Sequence, residues 1–169
     1  MNKSIALVGF MGSGKSSVAK LLAEQTGRNL VSTDDLIVEQ SGMEITDIFS
    51  MKGEKHFRDL EEDVVFQISQ GEGLVIDCGG GVVLREQNIN NLHAKSIIVY
   101  LKTSPEAIYK RVKNQTHRPL LNIENPKEKI KELLSQRASF YEKADVTVDT
   151  SEKTIDLVVG EIIKILLND

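Results

Sequence analysis

A single cysteine in 169 residues allows no internal disulfide, so a reducing cytoplasm is the expected compartment. Positive charge is in short supply. The 21 Lys and Arg face 25 Asp and Glu, and the formal net charge of −4 argues against a surface built for nucleic-acid backbone. No apolar run approaches the roughly 18 residues of a membrane span, and no basic segment followed by an apolar one reads as a secretory signal. Repeats and low-complexity stretches are absent, and so is an N-K-x-D guanine motif. With 40% hydrophobic and 27% charged residues, the composition fits neither a disordered chain nor a membrane-embedded one. One ordinary globular domain spanning residues 1–169 is expected.

What is present begins at Gly9. Residues Gly9 to Ser16 read GFMGSGKS, which satisfies G-x-x-x-x-G-K-[ST] at every fixed position. The pattern arises by chance roughly once in a few hundred chains this long. Its flanks fit too, with an apolar strand candidate before it (Ile5–Val8) and Val18, Ala19, Leu21, Leu22 and Ala23 at helical spacing after it. In this context the backbone amides of Gly12, Ser13, Gly14, Lys15, Ser16 and Ser17 wrap phosphate oxygens at a helix N-terminus. Lys15 then reaches the β- and γ-phosphates and the Ser16 hydroxyl ligates Mg²⁺. The motif predicts a nucleoside triphosphate site.

Farther along, short apolar runs (Leu30–Val31, Leu74–Ile76, Ile97–Leu101, Val146–Val148) alternate with helical patterns. The helices are expected over Ser16–Gln25, Asp35–Gln40, Glu54–Gln70, Glu106–Lys113, Lys127–Lys143 and Thr154–Leu167. Strand alternating with helix predicts a three-layer α/β/α fold around a parallel sheet. Ligands in such folds sit beyond the C-terminal ends of the strands. The polar stretch from Asn114 to Pro126, with Pro119 and Pro126, reads as a long loop and hence as a lid or binding segment.

Four clusters fall after the strands. Asp34 follows the second, where a carboxylate can accept a hydroxyl proton or simply cap a helix. Arg58 and Glu61 stand three apart on one helical face, a spacing equally suited to a solvated surface pair. Gly79, Gly80 and Gly81 follow the third strand and allow close approach of backbone to a ligand. Arg118 lies in the long loop and Arg137 on the next helix. Cys78 is either a small core residue or a thiol beside this site.

Taken together, these pieces resemble the shikimate kinase family, a small branch of the nucleoside-monophosphate-kinase-like P-loop proteins. The likeness is collinear from Gly9 to Asp149. It rests on GFMGSGKSS, Asp34, Phe57-Arg58-x-x-Glu61, Gly79-Gly80-Gly81, Arg118-Pro119-Leu120-Leu121 and Arg137-x-x-x-Tyr141. The resemblance implies a five-stranded parallel sheet of order 2-3-1-4-5, with substrate-binding helices over about 35–70 and a mobile lid over about 114–126. It implies a monomer acting on shikimate and ATP with Mg²⁺. Lys15, Asp34 and Arg118 become catalytic; Arg58, Arg137, Asp34 and the three glycines bind shikimate; Arg111, Arg118 and Lys153 join the phosphate loop around ATP.

One position departs from the family pattern. Many members carry D-x-D after the second strand, and here Ser32 stands where the first acid would be. The third strand ends Leu74-Val75-Ile76-Asp77, so Asp77 is the candidate carboxylate beside Ser16 for Mg²⁺, with a turn cap as its alternative role. A gluconate-type kinase of the same layout and a non-catalytic ATP-binding module are the rival readings.

Overall fold

The computed structural model describes residues 3–113 and 124–168. Five parallel strands, β1 (Ser4–Val8), β2 (Asn29–Ser32), β3 (Leu74–Asp77), β4 (Ser96–Lys102) and β5 (Val146–Asp149), form one sheet of order β2-β3-β1-β4-β5. Seven α-helices accompany them among the described residues: α1 (Lys15–Thr26), α2 (Thr33–Ser41), α3 (Ile45–Ser69), α4 (Glu86–Lys95), α5 (Pro105–Val112), α6 (Pro126–Tyr141) and α7 (Ile155–Asn168). The expected sheet, its order and its three layers are all present.

Alternation along the strands sorts the core into two halves. Ile5 and Leu7 of β1 point to one face, packed with Val18 and Leu22 of α1 and Val158, Val159 and Ile162 of α7. Ala6 and Val8 point to the other, against Val64 and Val65 of α3, Ile89 and Leu92 of α4 and Tyr141 of α6. A strand covered on both faces is apolar along most of its length, which is why Ile5–Val8 of β1 reads as an unbroken hydrophobic run after Ser4. Because β3 and β4 flank β1, the chain turns opposite ways on its two sides. A crevice opens at the C-terminal end of β1, the usual binding place in such sheets.

Two helices differ from expectation. The element α3 holds two helices joined at Gly53, whose φ 82°, ψ 168° is not helical; the second starts at Glu54 as expected, and the first, over 45–52, was not expected. The segment Glu86–Lys95 had no helical expectation, since its three asparagines are weak helix formers. Burial of Ile89 and Leu92, one turn apart, overrides that preference. The lid expected over 114–126 lies almost wholly outside the described residues; Pro126 opens α6 as its first helical residue.

Candidate active site

One cleft of about 820 Å³ runs along the C-terminal edge of the sheet and gathers most of the expected residues. The phosphate loop forms one end. Gly12 (φ 77°) and Gly14 (φ 93°) take left-handed conformations that side-chain-bearing residues disfavour. Gly14 also caps α1, directing the helix N-terminus into the cleft. A Cβ at Gly12 would collide with Val112 at 2.5 Å, so that position tolerates no side chain on steric grounds either. Lys15 Nζ donates to the carbonyls of Gly9 (2.9 Å) and Phe10 (3.2 Å), arching back over the loop.

The opposite end is assembled from separate elements. Asp34 comes from the first turn of α2, whose cap is Ser32: the Asp35 N–H donates to Ser32 Oγ at 3.2 Å. Asp34 is therefore not spent on capping. Its Oδ1 is buried without a hydrogen-bond partner, and burial raises its pKa while Lys15 opposes the shift. Arg58 and Glu61 are no surface pair. Arg58 Nη1 donates to Glu61 Oε2 at 2.8 Å, with Glu61 wholly buried and Arg58 13% exposed. Burial also raises the Glu61 pKa, opposed by the Arg58 charge, and Glu61 Oε1 is a second orphaned oxygen. Arg137 reaches the same floor from α6, its Nη1 at 3.5 Å from the Gly80 carbonyl and its guanidinium 5.6 Å from the centre of the Phe10 ring.

Gly79, Gly80 and Gly81 lie between these groups, and none of them has a left-handed φ. The need is for room. A Cβ at Gly79 would come within 2.7 Å of Asp34 Oδ1 and 3.0 Å of Glu61 Oε1. One at Gly81 would overlap the Arg58 guanidinium. Gly79 and Gly81 thus let three charged side chains lie flat on a backbone floor.

Asp77 closes β3 beside the phosphate loop. Asp77 and Ser16 both line the cleft here, and burial raises the Asp77 pKa, opposed by the Ser16 hydroxyl and the Lys15 charge. The turn-cap alternative has another occupant: the Gly79 N–H donates to Thr33 Oγ1 at 2.8 Å. Ser32 and Asp77 are register partners across β2 and β3. Cys78 both lines the cleft beneath the glycine floor and packs in the core, 1% exposed, with its thiol pKa pushed up by burial.

A second hollow of about 530 Å³ adjoins the phosphate loop between α1 and the start of α7. Arg111 and Lys153 both line it, as do Ser13, Gly14, Ser17 and Thr150. Arg111 Nη2 donates to the Thr150 carbonyl at 2.6 Å and Nη1 to the Ser13 carbonyl at 3.2 Å, tying the phosphate loop to the turn after β5. Lys153 pairs with Glu161 at 2.5 Å. Arg118 lies outside the described residues.

Sequence reasoning missed the apolar wall of Met11, Ile45 and Phe49. Phe49 packs on Phe57 with ring centres 4.6 Å apart, across the kink at Gly53. A partly exposed Phe beside a charged helix was the available signal. The anchoring hydroxyls of Thr33 and Tyr141 were also missed.

A family model described as shikimate kinase matches residues 11–167. A shikimate kinase of Thermodesulfovibrio yellowstonii is 48% identical over 162 residues, covering 96% of this chain and 94% of the relative. The solved shikimate kinase from Acinetobacter baumannii, in complex with shikimate, has a TM-score of 0.93 at 35% identity, covering 98% of this chain and 93% of that one. That from Aquifex aeolicus has a TM-score of 0.85 at 36% identity, with 96% and 95% covered. This chain belongs to the shikimate kinase family.

Proposed function

We propose that the cleft moves the γ-phosphoryl group of ATP to the 3-hydroxyl of shikimate, giving shikimate 3-phosphate for aromatic amino-acid synthesis. The observation that carries this reading is the acceptor end: two guanidinium groups and a carboxylate with one orphaned oxygen meet on a glycine floor facing a phosphate loop. A small carboxylated ring bearing hydroxyls matches that set. Arg58 and Arg137 clamp its carboxylate, since a guanidinium pairs with a carboxylate bidentately. Asp34 accepts hydrogen bonds from ring hydroxyls and takes the proton of the attacking one. Glu61 holds Arg58 in its working pose, and Gly79, Gly80 and Gly81 keep the floor low enough for the ring.

At the other end, residues Gly12 to Ser17 hold the phosphates with Lys15, while Arg111 and Lys153 border the base. Mg²⁺ fits the corner where Ser16 meets Asp77, because this ion needs one or two protein oxygens, with waters and phosphate completing its shell. Bound there, it would neutralise charge on the β- and γ-phosphates. On the resemblance of its motif we assign Arg118 to the transferring phosphoryl group, and residues 114–126 to covering the cleft. The enzyme acts as a cytoplasmic monomer with no nucleic-acid or membrane partner. A net charge of −4 and a lone buried cysteine fit that setting, and among the described residues no helix is long and apolar enough to cross a membrane.

Coupled ATP-turnover assays with shikimate, quinate and gluconate in parallel test the reading. Turnover should be shikimate-dependent; equal rates with gluconate, or none with shikimate, would overturn it.

A further inference from the structure

The glycine floor has no side chains with which to hold itself, and glycine is the residue with most backbone freedom to lose. Its last bond to the neighbouring strand is one residue earlier, where the Cys78 N–H donates to the Leu7 carbonyl at 3.2 Å. The carbonyls of Gly79 and Gly81 then turn away, accepting from the N–H groups of Val82 (3.1 Å) and Leu84 (3.0 Å) in a short 3₁₀ turn. Two groups of the floor are fixed from outside. The Gly79 N–H donates to Thr33 Oγ1 at 2.8 Å, and the Gly80 carbonyl accepts from the Tyr141 hydroxyl at 2.9 Å.

Both hydroxyls belong to buried residues, Thr33 at 0% and Tyr141 at 1% exposure. Neither side chain is adaptable. Thr33 is β-branched and starts α2. The Tyr141 ring stacks on Tyr100 with centres 4.8 Å apart and planes 2° from parallel. Their neighbours in sequence give the arrangement its meaning. Thr33 immediately precedes Asp34, and Tyr141 stands one helical turn after Arg137. Each hydroxyl therefore fastens a substrate-facing element to the strip of backbone on which Arg58 and Asp34 rest.

We propose that Thr33 and Tyr141 are positioning residues, a two-hydroxyl clamp that sets the spacing of Asp34, the glycine floor and Arg137. Neither needs to touch substrate. The inference rests on the reading of this cleft as the shikimate site, and it adds residues that set the site's dimensions.

The test is steady-state kinetics on Thr33→Val and Tyr141→Phe, with nucleotide binding measured by calorimetry in the absence of shikimate. Each variant keeps nearly the same shape; Thr33→Val leaves the Gly79 N–H unpaired, and Tyr141→Phe leaves the Gly80 carbonyl only the longer 3.5 Å contact from Arg137. The KM for shikimate should rise about 5- to 20-fold in each, while nucleotide affinity stays within about twofold. Thr33→Ser should return the KM to within about twofold of the unaltered enzyme, because it restores the acceptor. The double variant should lose less than the product of the single losses, since both act through one peptide segment. An unchanged KM in Tyr141→Phe, which keeps the ring stack, would overturn the proposal. So would a Thr33→Ser enzyme as impaired as Thr33→Val, or nucleotide and shikimate affinities falling together. Shikimate turnover by the unaltered enzyme in the same assay separates failure of the clamp from failure of the functional reading.

Discussion

Glycines line both ends of the cleft, and they are there for opposite reasons. In the phosphate loop Gly12 and Gly14 have φ of 77° and 93°; backbone conformation is the whole reason at Gly14, where space is open, and the first reason at Gly12, which also has Val112 against it. On the acceptor floor Gly79, Gly80 and Gly81 have ordinary φ, and at Gly79 and Gly81 what matters is the volume a side chain would take from Asp34, Glu61 and Arg58. One end is a continuous octapeptide, and the phosphate contacts proposed for it are mostly its own amides. The other is built from α2, α3, the end of β3 and α6, and holds buried carboxylates with orphaned oxygens. The phosphate end is thus a local device, and the acceptor end exists only when the tertiary structure does.

The largest effect expected from this contrast is at Lys15. Lys15→Ala should lower kcat about 10³-fold by removing a charge that counts most as the phosphoryl group moves. The KM for shikimate should move little, because the acceptor end is separately built; comparable damage to both would merge the two ends into one unit.

Arg58→Ala is the mirror experiment. It removes a charge-assisted contact and strands the buried Glu61, so kcat/KM for shikimate should fall about 10- to 100-fold. Calorimetry with nucleotide alone should be unaffected, and a matching loss there would mean that the fold was harmed.

A smaller effect concerns pH and stability. Burial raises the pKa of both Asp34 and Glu61 in the folded chain above their ordinary values. The folded state therefore holds these protons to higher pH than the unfolded state does. The stability that this supplies is full below the ordinary carboxylate range and is lost as pH rises through the raised values. The melting temperature without ligands should accordingly fall across that interval as pH increases. Asp34→Asn should flatten the fall and raise the neutral-pH melting temperature by about 2–4 °C while activity is lost. A variant melting below the unaltered protein would show that the carboxylate is adequately paired as it stands.

The same contrast governs what could be read from the sequence. The phosphate loop was legible because its chemistry, its glycines and its flanking strand and helix are contiguous. Alternation of apolar runs gave the layers, but the strand order came from family resemblance, since no local pattern says which strands are neighbours. Gly53 is the helix break that it looks like, and what stayed hidden was the short helix over 45–52 before it. Helix α4 was hidden because its propensity is poor and its burial is tertiary. Arg58 and Glu61 were named from spacing, yet only the structure separates a buried pair from a solvated one. The three glycines read as making room for a ligand, and the structure adds that Gly79 and Gly81 also make room for the protein's own charges.

The most direct test of this two-ended account is calorimetric titration of Gly81→Ala with shikimate and, separately, with nucleotide. Gly81 has φ −108°, which alanine adopts without strain, so the backbone should hold while the new methyl displaces the Arg58 guanidinium. Shikimate affinity should drop by about tenfold or more, with nucleotide affinity unchanged. Equal losses for both ligands, or none for shikimate, would contradict the account.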